Sequence, residues 1–217
     1  TTITGSYTTQ FYIGITSAHG TPPSSQWRDK GSSLTVNVQS PAETIPEQSR
    51  WLCTGFSVDH GAKQGGTSYT FSGIDKPHEI EFYWTQQFWL QLETGVSGTK
   101  IGGTGWYDSG ANASISAETP YSEWEDHRFI FVSWSSTGTN AAPISNSTSP
   151  ETTVTMNNYY TVKATWQEQF YISINSPHGS PPPSQWVNST KSFYINVTSP
   201  ADDDGMGTRY RCIGYKI

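Results

Sequence analysis

Charge is scarce in this sequence. Asp, Glu, Lys and Arg make up 14% of its 217 residues, and the formal net charge is −6. No basic patch is present to neutralise phosphates, which argues against nucleic acid as a partner. Lys, Glu, Ala and Leu, the residues of exposed helix faces, are sparse, while Thr, Ser and Gly are abundant and aromatics reach 14%; that is a β composition. No apolar run approaches the ~18 residues of a membrane span. The residues given do not read as a signal peptide, and a chain opening Thr1-Thr2-Ile3 without Met is expected to have been trimmed, by a signal peptidase or at a cloning boundary. No Ser/His/Asp or Cys/His arrangement, phosphate-binding glycine loop or G-x-S-x-G occurs, and none of the five histidines is spaced from another as metal ligands are. Nothing supports an enzyme or a cofactor.

What is present is a repeat. Gln169–Trp186 reads QFYISINSPHGSPPPSQW, and Gln10–Trp27 reads QFYIGITSAHGTPPSSQW. A looser version, QFWLQLETGVSGTKIGGTGW, spans Gln87–Trp106. The closing tryptophans, Trp27, Trp106 and Trp186, lie 79 and 80 residues apart. A fixed period states how a chain is built. Period-two alternation predicts five strands per copy. In the first copy they are 11–15, 33–38, 50–58, 68–72 and 79–84; in the second, 88–92, 113–117, 127–134, 152–156 and 160–166. The third has only 170–174, 193–198 and 209–217, so its fourth and fifth strands are missing. The segment Trp27-Arg28-Asp29-Lys30-Gly31 and its equivalents at Trp106 and Trp186 are expected to be turns. The predicted fold class is all-β: tandem antiparallel modules of about 80 residues, each able to bury a small core. Their spans are 10–85, 86–167 and 168–217, with a spare strand at 1–9 and the last module incomplete.

Several motifs follow one another in the second copy: Trp106–Gly110, Phe129–Trp134, Val154-Thr155-Met156 and Val162–Trp166. This pattern resembles the divergent β-repeat of bacterial and archaeal surface proteins related to the internalin B-repeat. The third copy departs from it, with Thr190 where the turn glycine belongs, and the H-G-x-P-P insert is not part of it. The resemblance implies β modules strung along surface stalks, adhesins or archaeal extracellular filaments and pili, with no enzyme activity.

Side-chain readings are mostly structural. Cys53 and Cys212 share one slot, which Phe131 fills in the second copy; two buried thiols are expected there. His19 and His178 lie in the repeated H-G-x-P-P turn, so a turn role is expected. Asp202-Asp203-Asp204 could offer oxygen to Ca²⁺ but lacks the spaced loop pattern, and a solvated acidic loop is favoured. Trp27, Trp106 and Trp186 recur at one framework position, as do Trp84 and Trp166, which favours core over sugar stacking. The sequons at Asn112, Asn146, Asn188 and Asn196 lean towards an exported, N-glycosylated protein, with Asn188 the favoured site.

The expectation for function is an extracellular, cell-surface structural subunit that polymerises with itself head-to-tail. The incomplete copy exposes an unpaired edge. The donor strand would be Thr1, Thr2, Ile3, Thr4, Gly5, Ser6, Tyr7, Thr8 and Thr9, placing Ile3 and Tyr7 in a neighbour's core. Its TTIT matches TTVT at 152–155, the fourth strand. The acceptor edge would be Arg209, Tyr210, Arg211, Cys212, Ile213, Gly214, Tyr215, Lys216 and Ile217. The alternatives are a carbohydrate-binding or adhesive module with surface glycans as partners, or an excerpt of a longer stalk.

Overall fold

The computed structural model describes residues 1–202 and 205–216. The fold is all-β, and among the described residues there is no helix. The first seven strands are β1 (Gln10–Ser17), β2 (Gln26–Asp29), β3 (Leu34–Asn37), β4 (Ala42–Ile45), β5 (Ser49–Val58), β6 (Ser68–Phe71) and β7 (His78–Glu93). Then come β8 (Ile101–Gly102), β9 (Gly105–Asp108), β10 (Asn112–Ala117), β11 (Tyr121–Trp124), β12 (His127–Ser136), β13 (Glu151–Thr155), β14 (Tyr160–Ile172) and β15 (Gln185–Asn188).

β7 and β14 set the architecture. Nothing between Trp84 and Phe88, Thr-Gln-Gln, forces a turn, so β7 closes the first copy and opens the second as one 16-residue strand. β14 does the same at the next boundary. β1 lies parallel to the first half of β7, and the second half of β7 lies parallel to the start of β14. The copies therefore step along one another in chain order within a 10-stranded sheet. β5 returns antiparallel on β7, and β12 on β14.

A smaller sheet covers each half. β3 pairs with β6 over the first copy, and β10 with β13 over the second. Leu34 and Val36 point inward while Thr35 and Asn37 are exposed, and Ala113, Ile115 and Ala117 repeat the pattern, as strand alternation dictates. Two apolar clusters result. One holds Ile13, Val36, Phe56, Phe71, Ile80 and Phe82; the other holds Leu90, Ile115, Trp134, Val154, Met156 and Val162. Each fully buried side chain of this size contributes about 1.5–3 kcal/mol.

Several sequence expectations require correction. Residues 27–29, 106–108 and 186–188 are strand, paired antiparallel with the opening strand of their copy, and the turn comes only afterwards. β4 and β11 are short edge strands that alternation did not single out. Residues 1–9 form no strand, and Ile3 and Tyr7 are 94% and 96% exposed. Residues 193–198 form no strand, and 209–216 hold only one isolated bridge, Tyr210 to Ala201. The reason is the partner list of the first two copies: their second strands pair with a fourth strand and their third with a fifth, and the described residues of the third copy include neither.

Candidate functional site

Among the described residues, 173–176 and 209–216 leave strand-forming sequence unpaired in the third copy, and what covers the equivalent places can be read from the first two copies. There the closing strand brings a tryptophan onto the opening turn. Trp84 Nε1 donates to Ser17 Oγ at 2.9 Å, and Trp166 Nε1 donates to the Thr94 carbonyl at 3.1 Å. Ser17 Oγ in turn donates to the His19 carbonyl at 2.7 Å. The His19 ring stacks on Trp51 at 3.9 Å, meets Trp84 edge-on at 5.7 Å, and bonds Glu43 Oε2 through Nδ1 at 2.8 Å. Gly20 has φ +77°, and a Cβ there would meet Trp84 Cη2 at 2.5 Å and the Gln39 carbonyl at 2.6 Å. Only glycine fits so close an approach in that conformation.

The third copy builds the same turn without its lid. Ser176 Oγ donates to the His178 carbonyl at 2.7 Å. His178 stacks on Tyr210 at 3.6 Å and bonds Asp202 through Nδ1. Gly179 keeps φ +82° against the Thr198 carbonyl. Among the described residues no indole packs on this turn. Both histidines thus sit at turns, packed and hydrogen-bonded. Asp203 and Asp204 lie outside the described residues, as does Ile217 of the acceptor edge. Among the described residues, no three His, Cys, Asp or Glu side chains converge to hold a metal.

The two cysteines part company for the same reason. Cys53 is half-buried against the first cluster, whereas Cys212 is exposed. The expectation of two interior thiols fails at Cys212, since Trp84 lies on the strand position opposite Cys53 and, among the described residues, no strand lies opposite Cys212.

A second repeated device joins successive copies. Arg50 Nε donates to Gln87 Oε1 at 2.8 Å, Gln87 Nε2 donates to Asp108 Oδ1 at 2.8 Å, and the Arg50 guanidinium lies 4.4 Å above the Trp106 ring. At the next boundary Arg128 Nε donates to Gln169 Oε1 at 2.8 Å, Gln169 Nε2 to Asn188 Oδ1 at 2.7 Å, and Arg128 lies 4.1 Å above Trp186. Such stacking is worth about 0.5–2 kcal/mol, depending on desolvation. No family model, curated protein or solved structure matches the chain. The site therefore rests on its own geometry.

That geometry corrects the reading of the tryptophans. Trp84 and Trp166 pack on the two clusters, but Trp27, Trp106 and Trp186 are surface residues. Each pairs with a neighbouring ring at 5.4 Å: Tyr12 with Trp27, Trp89 with Trp106, Tyr171 with Trp186. Arginines cover the last two pairs; Trp27 is 62% exposed. The Arg–Gln–Trp device had a sequence signal, an arginine three residues before Cys53, Phe131 and Cys212 alike.

The sequons separate too. Asn112, Asn146 and Asn196 are exposed, and Asn146 Oδ1 accepts from the backbone N–H and hydroxyl of its own Thr148. Asn188 ends a strand, half-buried, with its oxygen taken by Gln169. The Asn112 oxygen is likewise held, by the Thr155 hydroxyl at 2.9 Å, but of the four only Asn188 is half-buried. No helix among the described residues is long and apolar enough to cross a membrane.

Proposed function

We propose that this chain is an extracellular structural subunit that assembles head-to-tail into a filament or pilus. The observation that carries the reading is the open third copy. Its segments 193–198 and 209–216 carry the alternating apolar residues of a β module yet, among the described residues, pair with no strand, leaving Tyr215 90% and Ile195 54% exposed. An unpaired, apolar edge is a template for another chain. The spare segment 1–9 lies before the first copy, so donor and acceptor belong to opposite ends of a stepped series. A contact between unlike surfaces propagates unless it closes a ring. The resemblance to internalin-type surface repeats and the low charge favour an exported protein, with N-glycans at the exposed Asn112, Asn146 and Asn196.

Sedimentation velocity and electron microscopy of the intact chain and of a chain lacking Thr1–Thr9 test the reading. The intact chain is expected to form concentration-dependent oligomers and the shortened one to stay monomeric. Equal assembly of the two, or a monomeric intact chain at every concentration, overturns it.

A further inference from the structure

The place that the N-terminal segment takes follows from hydrogen bonds already in the structure. Lys30 N–H donates to the Thr9 carbonyl at 2.8 Å, Ser109 N–H to Gln86 at 2.8 Å, and Ser189 N–H to Glu168 at 2.9 Å. Thr9, Gln86 and Glu168 are thus equivalent, and counting back aligns TTITGSYTT with HEIEFYWTQ (78–86) and YTVKATWQE (160–168). Ile3 falls on Ile80 and Val162, buried at 1% and 0% exposure. Tyr7 falls on Trp84 and Trp166. The segment therefore carries the pattern of a fifth strand running into a first strand, as β7 and β14 do. The resemblance of TTIT to the fourth strand is the weaker match, since it has no hydrogen bond to fix its register.

We propose, building on the head-to-tail reading, that residues 1–9 of a second copy enter the open third copy as its fifth strand, and that Arg209 of the first copy then seats on Trp27 of the second. Two intrachain boundaries set the register. Trp84 lies opposite Cys53 and Trp166 opposite Phe131, so Tyr7 lies opposite Cys212. Ile80 runs beside Ile15 and Val162 beside Leu92, so Ile3 runs beside Ile174. Gln87 lies opposite Arg50 and Gln169 opposite Arg128, so Gln10 lies opposite Arg209.

Each half of this junction is present and lacks the other. Gln10 Nε2 already donates to Asp29 Oδ1 at 2.8 Å, as Gln87 and Gln169 do to their partners, but among the described residues no arginine reaches its carbonyl oxygen. Trp27 has its companion Tyr12 at the same 5.4 Å as the other two pairs and, among the described residues, no guanidinium above it. Arg209 is exposed. The occupant of Trp27 is thus an arginine of a second copy rather than a sugar. The fourth-strand place beside 193–198 stays open.

The test is disulfide trapping in the full chain. With Cys53→Ala, Tyr7→Cys is oxidised by diamide, which takes up the two electrons and two protons released as the thiols of Cys212 and the new cysteine join. The expected result is a ladder of covalent multimers on a non-reducing gel, absent for Ser6→Cys and Thr8→Cys, whose side chains point to the other face. Arg209→Ala, at an exposed position, is expected to weaken assembly about tenfold by loss of a charge-assisted hydrogen bond and a stacked cation. Multimers that form without Tyr7→Cys trapping overturn this register but leave head-to-tail assembly standing. A ladder of equal strength from Ser6→Cys does the same. Absence of any assembly overturns both.

Discussion

Phe56, Trp134 and Tyr215 occupy the same position, three residues beyond Cys53, Phe131 and Cys212. Their exposures are 3%, 2% and 90%. Val36, Ile115 and Ile195 are likewise equivalent, with exposures of 0%, 1% and 54%. The residue types barely differ, so the difference between the closed copies and the open one is not in the side chains. It lies in two strands that the first two copies receive from their own continuation. A β edge buries its apolar face only when the neighbouring strand and the opposing sheet are both in place.

The sharpest way to break this comparison is a core truncation at equivalent sites. Ile80→Ala is expected to cost about 2–5 kcal/mol in urea unfolding, because Ile80 is buried at 1%. Ile3→Ala should change the stability of the monomer by less than ~0.5 kcal/mol and show its cost only in assembly. Equal losses in the monomer would mean that residues 1–9 are already packed within one chain.

The glycine turns offer a second contrast. Gly20→Ala drives a Cβ into Trp84 and the Gln39 carbonyl at positive φ, for an expected loss of about 2–3 kcal/mol. Gly179→Ala meets the Thr198 backbone and the Val197 Cβ but no ring; thermal melting should move less, since no tryptophan is there to be displaced.

The thiols sharpen it further. Cys53→Ser should destabilise by about 1–3 kcal/mol, while Cys212→Ser is expected to be near neutral in the monomer. In maleimide labelling Cys212 should react first and become protected on assembly. Fast labelling of Cys53 would contradict the packing described here.

The smallest effect is electrostatic and confined to the first copy. Partial burial pushes the Asp59 carboxyl up, but the Glu79 N–H bond at 2.9 Å, the His78 contact at 2.7 Å and the charges of His78 and Lys76 outweigh it, and hold Asp59 below its ordinary 3.8. A carboxyl lowered in the folded state stabilises at pH above its unfolded value and loses that contribution as pH falls through the folded one. Melting temperatures between pH 5 and ~2 should therefore fall less steeply for Asp59→Asn than for the wild-type chain, by an exposed ion pair's modest margin. An unchanged slope would show that these contacts do not hold the carboxyl down.

By itself the sequence determined the repeat, the all-β class and most strand positions, because period and alternation are local properties written into neighbouring residues. It also marked the third copy as short of two strands. Tertiary structure decided what those residues face. That Trp27 belongs to a strand depends on its pairing with Tyr12, and that Trp106 is a surface ring under Arg50 depends on two strands meeting from different copies. The fate of Cys212 depends on a strand opposite it. Alternation states which side of a strand is apolar, but only the partner, brought in from far along the chain or from another chain, determines whether that side is buried.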